Sequence, residues 1–206
     1  MLMTSISRKL LMTKVNAGNA VKLADTNVYA ILGSTKKGAV EFAKMAAVKG
    51  EQTDSSTPMR SVVNMPADNY FEGFMTYEEV GARFASTFDD FVLDRYNEIM
   101  DYLQFDKNTK LEDMSKVAIQ KLKIAVILSR NSKVYMMDNP FNDLNYDARL
   151  QMLKVIFSWA LTDNTIAIKC NNVDEVEQLI VYADEHATDY PVISSSVAKA
   201  IGNSFA

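Results

Sequence analysis

Lys133 to Arg149, KVYMMDNPFNDLNYDAR, decides the reading of this chain. Val134-Tyr135-Met136-Met137 is an apolar run that closes on Asp138, and Asn139-Pro140 then breaks it. Helical periodicity resumes at about Asp147. A short, mostly apolar run ending in an acid and a turn is the pattern of a buried parallel strand. In open α/β sheets, ligands sit beyond the carboxyl ends of such strands. Asp138 therefore stands where a metal or phosphate site would be. An acid after a strand is also an ordinary cap or turn residue, so placement alone assigns it no chemistry.

The pattern repeats on both sides. Asn27 to Leu32 reads as a buried strand, Gly33-Ser34-Thr35-Lys36-Lys37-Gly38 as a loop, and Ala39 to Val48 as a helix. Strand, glycine loop and helix in that order make a phosphate cradle. Upstream, Arg8 to Met12 fits either an edge strand or a basic turn. Gly50 to Pro58 is a polar surface loop, and Arg60 to Met65 a short strand ended by Pro66. Thr76-Tyr77-Glu78-Glu79 has capping-box spacing, and helical periodicity runs from there to Phe105. Asp89, Asp90 and Asp94 then fall on a solvated helical face. A further helix spans Met114 to Leu128, and another Ala148 to Leu161, followed by a turn at Thr162-Asp163-Asn164. Thr165 to Ile168 reads as a buried strand, a helix follows from Asn171, and Pro191 to Ile193 with a short helix closes the chain. The order βαβ, helical insert, βαβ predicts an α/β fold: a mostly parallel sheet with helices on both faces.

Composition narrows the function classes. The chain has 206 residues and 48% hydrophobic content, which suits one α/β domain. Its net charge of −4 gives no nucleic-acid footprint. Cys170 is the single cysteine, so no internal disulfide framework exists, and a packed thiol is expected there. His186 is the single histidine, which excludes a histidine-based metal cluster. The N-terminal stretch carries no apolar run of signal-peptide length, and no segment approaches the roughly 18 apolar residues of a membrane span. Direct membrane insertion is not expected; a membrane role would come through a partner.

Several segments together resemble the ATP-binding-cassette (ABC) ATPases. Ile31 to Glu41, ILGSTKKGAVE, resembles their phosphate-loop region, and Met114 to Ser129 their signature helix. Arg130 to Pro140 is similar to the family's RNPKVLLLDEP segment, and Phe141 to Arg149 to TSGLDPEAR. Thr165 to Glu177 resembles the strand and helix that carry the switch histidine. Order and spacing agree over about residues 25–185, and the short ATPase subunits of small bacterial export systems are the most similar type. The resemblance implies a P-loop NTPase-like sheet with an inserted helical subdomain. The core would be about 1–66 and 130–206, and the helical subdomain about 67–129. It also implies a head-to-tail dimer, with itself or with an intact ABC ATPase domain. A membrane permease subunit would dock on the helical stretch Tyr70 to Leu103, and the protein would be cytoplasmic, peripheral to the membrane through that partner.

The chemistry departs from the resemblance. The family's phosphate loop, G-x-x-x-x-G-K-S/T, uses its lysine on the β/γ-phosphates and its hydroxyl on Mg²⁺. Gly33 and Gly38 match, but Ala39 and Val40 stand at those two positions. Asp138 matches the metal-supporting acid, and Asn139 replaces the glutamate that polarises water. Met114-Ser115-Lys116-Val117-Ala118 replaces Leu-Ser-Gly-Gly-Gln, so only Ser115 survives. Asn171 stands for the switch histidine, Asn145 for the seam aspartate, Asp143 for the glycine two before it, and the glutamine loop would fall near Ala67. Lys36 or Lys37 could fold back over a phosphate, and Ser34 and Thr35 offer hydroxyls on the wrong side of Gly38. The expectation is a vestigial phosphate loop (Gly33, Ser34, Thr35, Lys36, Lys37, Gly38), a Walker B-like acid (Asp138) and a signature-like Ser115. No catalytic residue, metal site or required ATP/Mg²⁺ cofactor is expected. The alternative is a divergent but active ATPase subunit with an unconventional site.

Overall fold

The computed structural model describes residues 12–14, 16–23, 27–46, 60–66, 68, 70–159 and 164–185. The readings at Arg8 to Leu11, Gly50 to Pro58, Ala67, Thr162-Asp163, His186 and Pro191 to Ile193 lie outside these residues.

Five strands form one sheet: β1 (Val21–Lys22), β2 (Val28–Leu32), β3 (Arg60–Asn64), β4 (Ser132–Asp138) and β5 (Thr165–Cys170), in the order β1-β2-β5-β4-β3. All neighbours pair in parallel except β1, which runs antiparallel to β2. This is the mostly parallel α/β sheet expected from the sequence. Strand β1 was not foreseen: two residues give too little alternation to read.

The helices that accompany the sheet are α1 (Lys36–Ala46), α2 (Tyr77–Thr87), α3 (Leu93–Leu103), α4 (Lys116–Leu128), α5 (Tyr146–Trp159) and α6 (Val173–Glu185). Helix α1 covers one face of the sheet, where Ile31, Val134, Met136 and Ala167 pack against Phe42 and Met45. The opposite face, with Val28, Ala30, Leu32, Tyr135, Met137, Ile166, Ile168 and Cys170, belongs to the larger core shared with α4, α5 and α6. Burial on both faces explains why β4 and β5 read as continuous apolar runs.

Two helical expectations need correction. Helix α1 begins at Lys36, three residues before Ala39, because Thr35 caps it: Gly38 N–H donates to Thr35 Oγ1 at 2.9 Å. The helical run from Thr76 to Phe105 is two helices, α2 and α3. The capping box is present, with Thr76 N–H on Glu79 Oε2 at 2.8 Å. Phe88, however, leaves the helix in an extended conformation. Residues 88–92 turn toward the start of β4 instead: Val92 N–H reaches Ser129 O at 2.8 Å and Asn131 N–H reaches Asp90 O at 2.7 Å.

That break also overturns the solvated reading of Asp90. Its carboxylate is fully buried and takes both arms of Arg130, Nε at 2.8 Å and the terminal nitrogen at 2.6 Å. Arg130 lies over the Phe88 ring at 3.9 Å. Beside it, buried Arg95 donates to Leu128 O, Arg130 O and Asn131 Oδ1. Asp89 and Asp94 are exposed, as expected. Removing one member of a buried, bidentate pair strands the other charge in the interior, which typically costs about 3–5 kcal/mol. Asp90→Ala should therefore lower the unfolding free energy in urea by about 3–5 kcal/mol, and a loss under about 1 kcal/mol would contradict this role.

Candidate functional site

The register of the parallel ladder assembles the site. Leu32 pairs with Cys170, and Lys169 pairs with Asp138. Strand β5 thus lies between β2, which leads into Gly33, and β4, which ends on Asp138. Side chains alternate in direction along a strand, so Gly33, Lys169 and Asp138 come to one rim on the face that α1 covers.

The stretch Gly33 to Gly38, expected as a vestigial phosphate loop, is not an open loop. Only Gly33, Ser34 and Thr35 precede the helix, and Lys36, Lys37 and Gly38 form its first turn. Thr35 Oγ1 donates to Leu32 O at 3.1 Å while accepting from Gly38, which closes the turn on itself. Gly38 is required here because a Cβ would run into the Leu32 carbonyl. Gly18, at φ +74, carries a neighbouring turn so close to Thr35 and Lys37 that it also leaves no room for a Cβ. From that turn Asn19 Oδ1 holds the Lys37 amine at 2.6 Å. Ser34, Lys36, Ala39 and Val40 are exposed.

Asp138 is engaged on both oxygens. Asn139 Nδ2 donates to Oδ1 at 2.8 Å, and Lys169 Nζ donates to Oδ2 at 2.6 Å. The Lys169 stem lies flat across Gly33, where an added Cβ would come within 2.5–3.0 Å of three of its carbons. Its ammonium sits 5.6 Å from the centre of the Phe42 ring. Asn139 adopts a left-handed conformation at φ 49, its N–H on Lys169 O at 2.9 Å, and Gln120 from α4 holds the carbonyls of Asn139 and Pro140. Asn139 Oδ1 is buried without a partner.

The remaining positions make local contacts at helix starts. Ser115 caps α4, its Oγ accepting from Ala118 N at 3.2 Å, and lines a separate groove with Leu103, Phe105 and Lys121. Asn145 Oδ1 accepts from Ala148 N at 2.9 Å at the start of α5. Asn171 is exposed, and its N–H donates to Glu175 Oε2. The fold therefore brings Gly33, Gly38 and Asp138 to one rim and leaves Ser115 in another groove.

The donor set does not fit a magnesium nucleotide. Mg²⁺ takes oxygen ligands in near-ideal octahedral geometry. Here the candidate carboxylate holds an ammonium and an amide, and the residue at the hydroxyl position, Val40, offers no oxygen. Lys169 was missed at the sequence level. Its signal was a lone lysine interrupting the apolar run TIAIKC, but only strand pairing shows that it faces Asp138.

No family model matches this chain, and no curated protein matches it. Solved structures do. A proposed ABC transporter ATP-binding protein from Pyrococcus furiosus matches at 18% identity and a TM-score of 0.45, over 83% of this chain and 76% of its own. The RNase-L inhibitor matches at 19% identity and 0.47, over 76% of this chain and 30% of its own. The archaeal ribosome recycling factor aABCE1, solved with the stalk protein aP1, matches at 16% and 0.49, over 76% and 29%. The chain thus spans under a third of the length of the last two.

The thiol beside Lys169 gives a check on this packing. Cys170 is buried, and burial first, then Glu175, pushes its pKa well above the ordinary thiol value. The thiolate is the reactive form. Alkylation by iodoacetamide at pH 7.5 should be at least about a hundredfold slower in the native protein than in guanidinium. Labelling of the native protein at the unfolded rate would show that β5 is not packed as described.

Proposed function

We propose that this chain is an ABC ATPase-like protein that does not hydrolyse ATP and acts as a structural or regulatory partner of an ABC export system. The reading rests on two supports of its own. Its motif-like segments follow the family's order, and its strand order sets Gly33 and Asp138 on either side of β5. One observation carries the loss of activity: Asp138, the acid that would support the metal, is paired to Lys169 at 2.6 Å.

Magnitudes favour inactivity. Enzymes lower barriers by about 8–23 kcal/mol, and one preorganised electrostatic contact contributes roughly 3–4 kcal/mol. The phosphate lysine, magnesium hydroxyl, general base and switch histidine are Ala39, Val40, Asn139 and Asn171. Such losses do not add cleanly, yet half their sum removes most of the catalysis. Of the two lysines the alternative active site would use, Lys37 is held by Asn19, and Lys36 is exposed in the first turn of α1.

Under this reading the protein dimerises with itself or with an intact ABC ATPase domain. It reaches a membrane only through a permease partner; no helix among the described residues is long and apolar enough to cross a bilayer. Purified protein with millimolar ATP and Mg²⁺ should release phosphate no faster than a buffer control. ATP at millimolar concentration should also stabilise the fold by less than about 1 kcal/mol. Steady turnover near the roughly 1 s⁻¹ of ordinary enzymes would overturn the proposal.

A further inference from the structure

The mismatch between this site and Mg²⁺ has a specific cause. In a phosphate-handling site the acid after the strand faces a cation that is brought in with the nucleotide. Here a cation is already in place and is part of the chain. We propose that Lys169 serves as the site's own cation, standing where a divalent ion would sit beside Asp138 and tying the Gly33 turn to the Asp138 turn without metal.

Five observations converge on it. Lys169 Nζ lies 2.6 Å from Asp138 Oδ2, a short charge-assisted hydrogen bond. The second carboxylate oxygen is taken by Asn139 Nδ2. The lysine stem is seated on Gly33, where an added Cβ would force it to shift. Its side chain is only 24% exposed, against 53% for Asp138, so the amine is held by its surroundings while the acid faces solvent. Phe42 from α1 flanks the ammonium. The lysine therefore touches all three parts of the rim: the loop, the helix after it and the acid.

The consequence is exclusion of divalent cations. An ammonium within hydrogen-bond distance of a carboxylate repels an approaching dication and occupies one of its ligands. The dication carries two charges against the ammonium's one at close range, so removing the ammonium should raise divalent affinity at Asp138 by at least about tenfold. Lys169→Met keeps an apolar stem over Gly33 and removes the charge, so it isolates this effect from packing. Lys169→Arg keeps the charge.

The test uses the full chain, labelled with ¹⁵N and titrated with Mn²⁺ alone. Paramagnetic broadening of the Asp138 and Asn139 amide resonances reports weak binding directly. Wild type and Lys169→Arg should show no more broadening there than Asp138→Asn. Lys169→Met should show it at Mn²⁺ concentrations at least about tenfold lower, and the double variant with Asp138→Asn should lose it again. Broadening in wild type equal to that in Lys169→Met overturns the proposal, as does its absence from Lys169→Met. The proposal builds on the same site as the non-hydrolysing reading, yet the two fail separately. Phosphate release by wild type refutes that reading, whereas Mn²⁺ binding without turnover refutes only the role of Lys169.

Discussion

The parallel register of β5 between β2 and β4 is the constraint on which the rest of this molecule depends. Because side chains alternate along a strand, a slip of one residue would send Lys169 into the apolar core and Ile168 onto the rim. The register is held by burial on both faces: Ile166, Ile168 and Cys170 on one side and Ala167 on the other, all almost inaccessible. With that pairing fixed, Leu32 meets Cys170 and Asp138 meets Lys169. Gly33, Lys169 and Asp138 then share a rim although they lie far apart in the chain.

A second polar centre ties α2 and α3 to this sheet. Between α2 and α3 the chain leaves helix geometry to bond with residues 129–131, and Asp90 and Arg130 lock that junction. Tyr135 from β4 also donates to Arg130 O at 2.7 Å. Burial pushes the Tyr135 hydroxyl above its usual pKa and lowers that of Arg95. Such centres add specificity of arrangement more than net stability, since desolvation offsets much of the attraction. The rim is different: the Asp138–Lys169 pair is partly solvated and contributes position more than energy.

Much of the fold was legible because its signals are local. Val28 to Leu32, Val134 to Met137 and Thr165 to Ile168 are apolar runs of strand length, and Thr76 with Glu79 spells out a helix start. The candidate loop and acid could also be placed, since each follows such a strand. What escaped depends on partners distant in sequence. Asp90 looks like any acid on a helix face until Arg130 is folded against it. Lys169 looks like a solvated interruption until Asp138 is paired with it. Thr35 as a cap was readable in principle, but the glycines on either side suggested a longer loop. That Ala39, Val40 and Asn139 offer neither an ammonium, a hydroxyl nor a carboxylate was plain from the residues alone; the pairing of Lys169 with Asp138 was not.

The account turns on one claim: the acid at the end of β4 is occupied from within the chain, and not by metal-bound nucleotide. A crystal structure of the protein grown in millimolar Mg²⁺ and ATP tests this most directly. The account predicts the Lys169 ammonium within about 3 Å of the Asp138 carboxylate, with no metal on that residue. A magnesium ion on Asp138, with Lys169 swung away and triphosphate over the turn at Gly33, would contradict it.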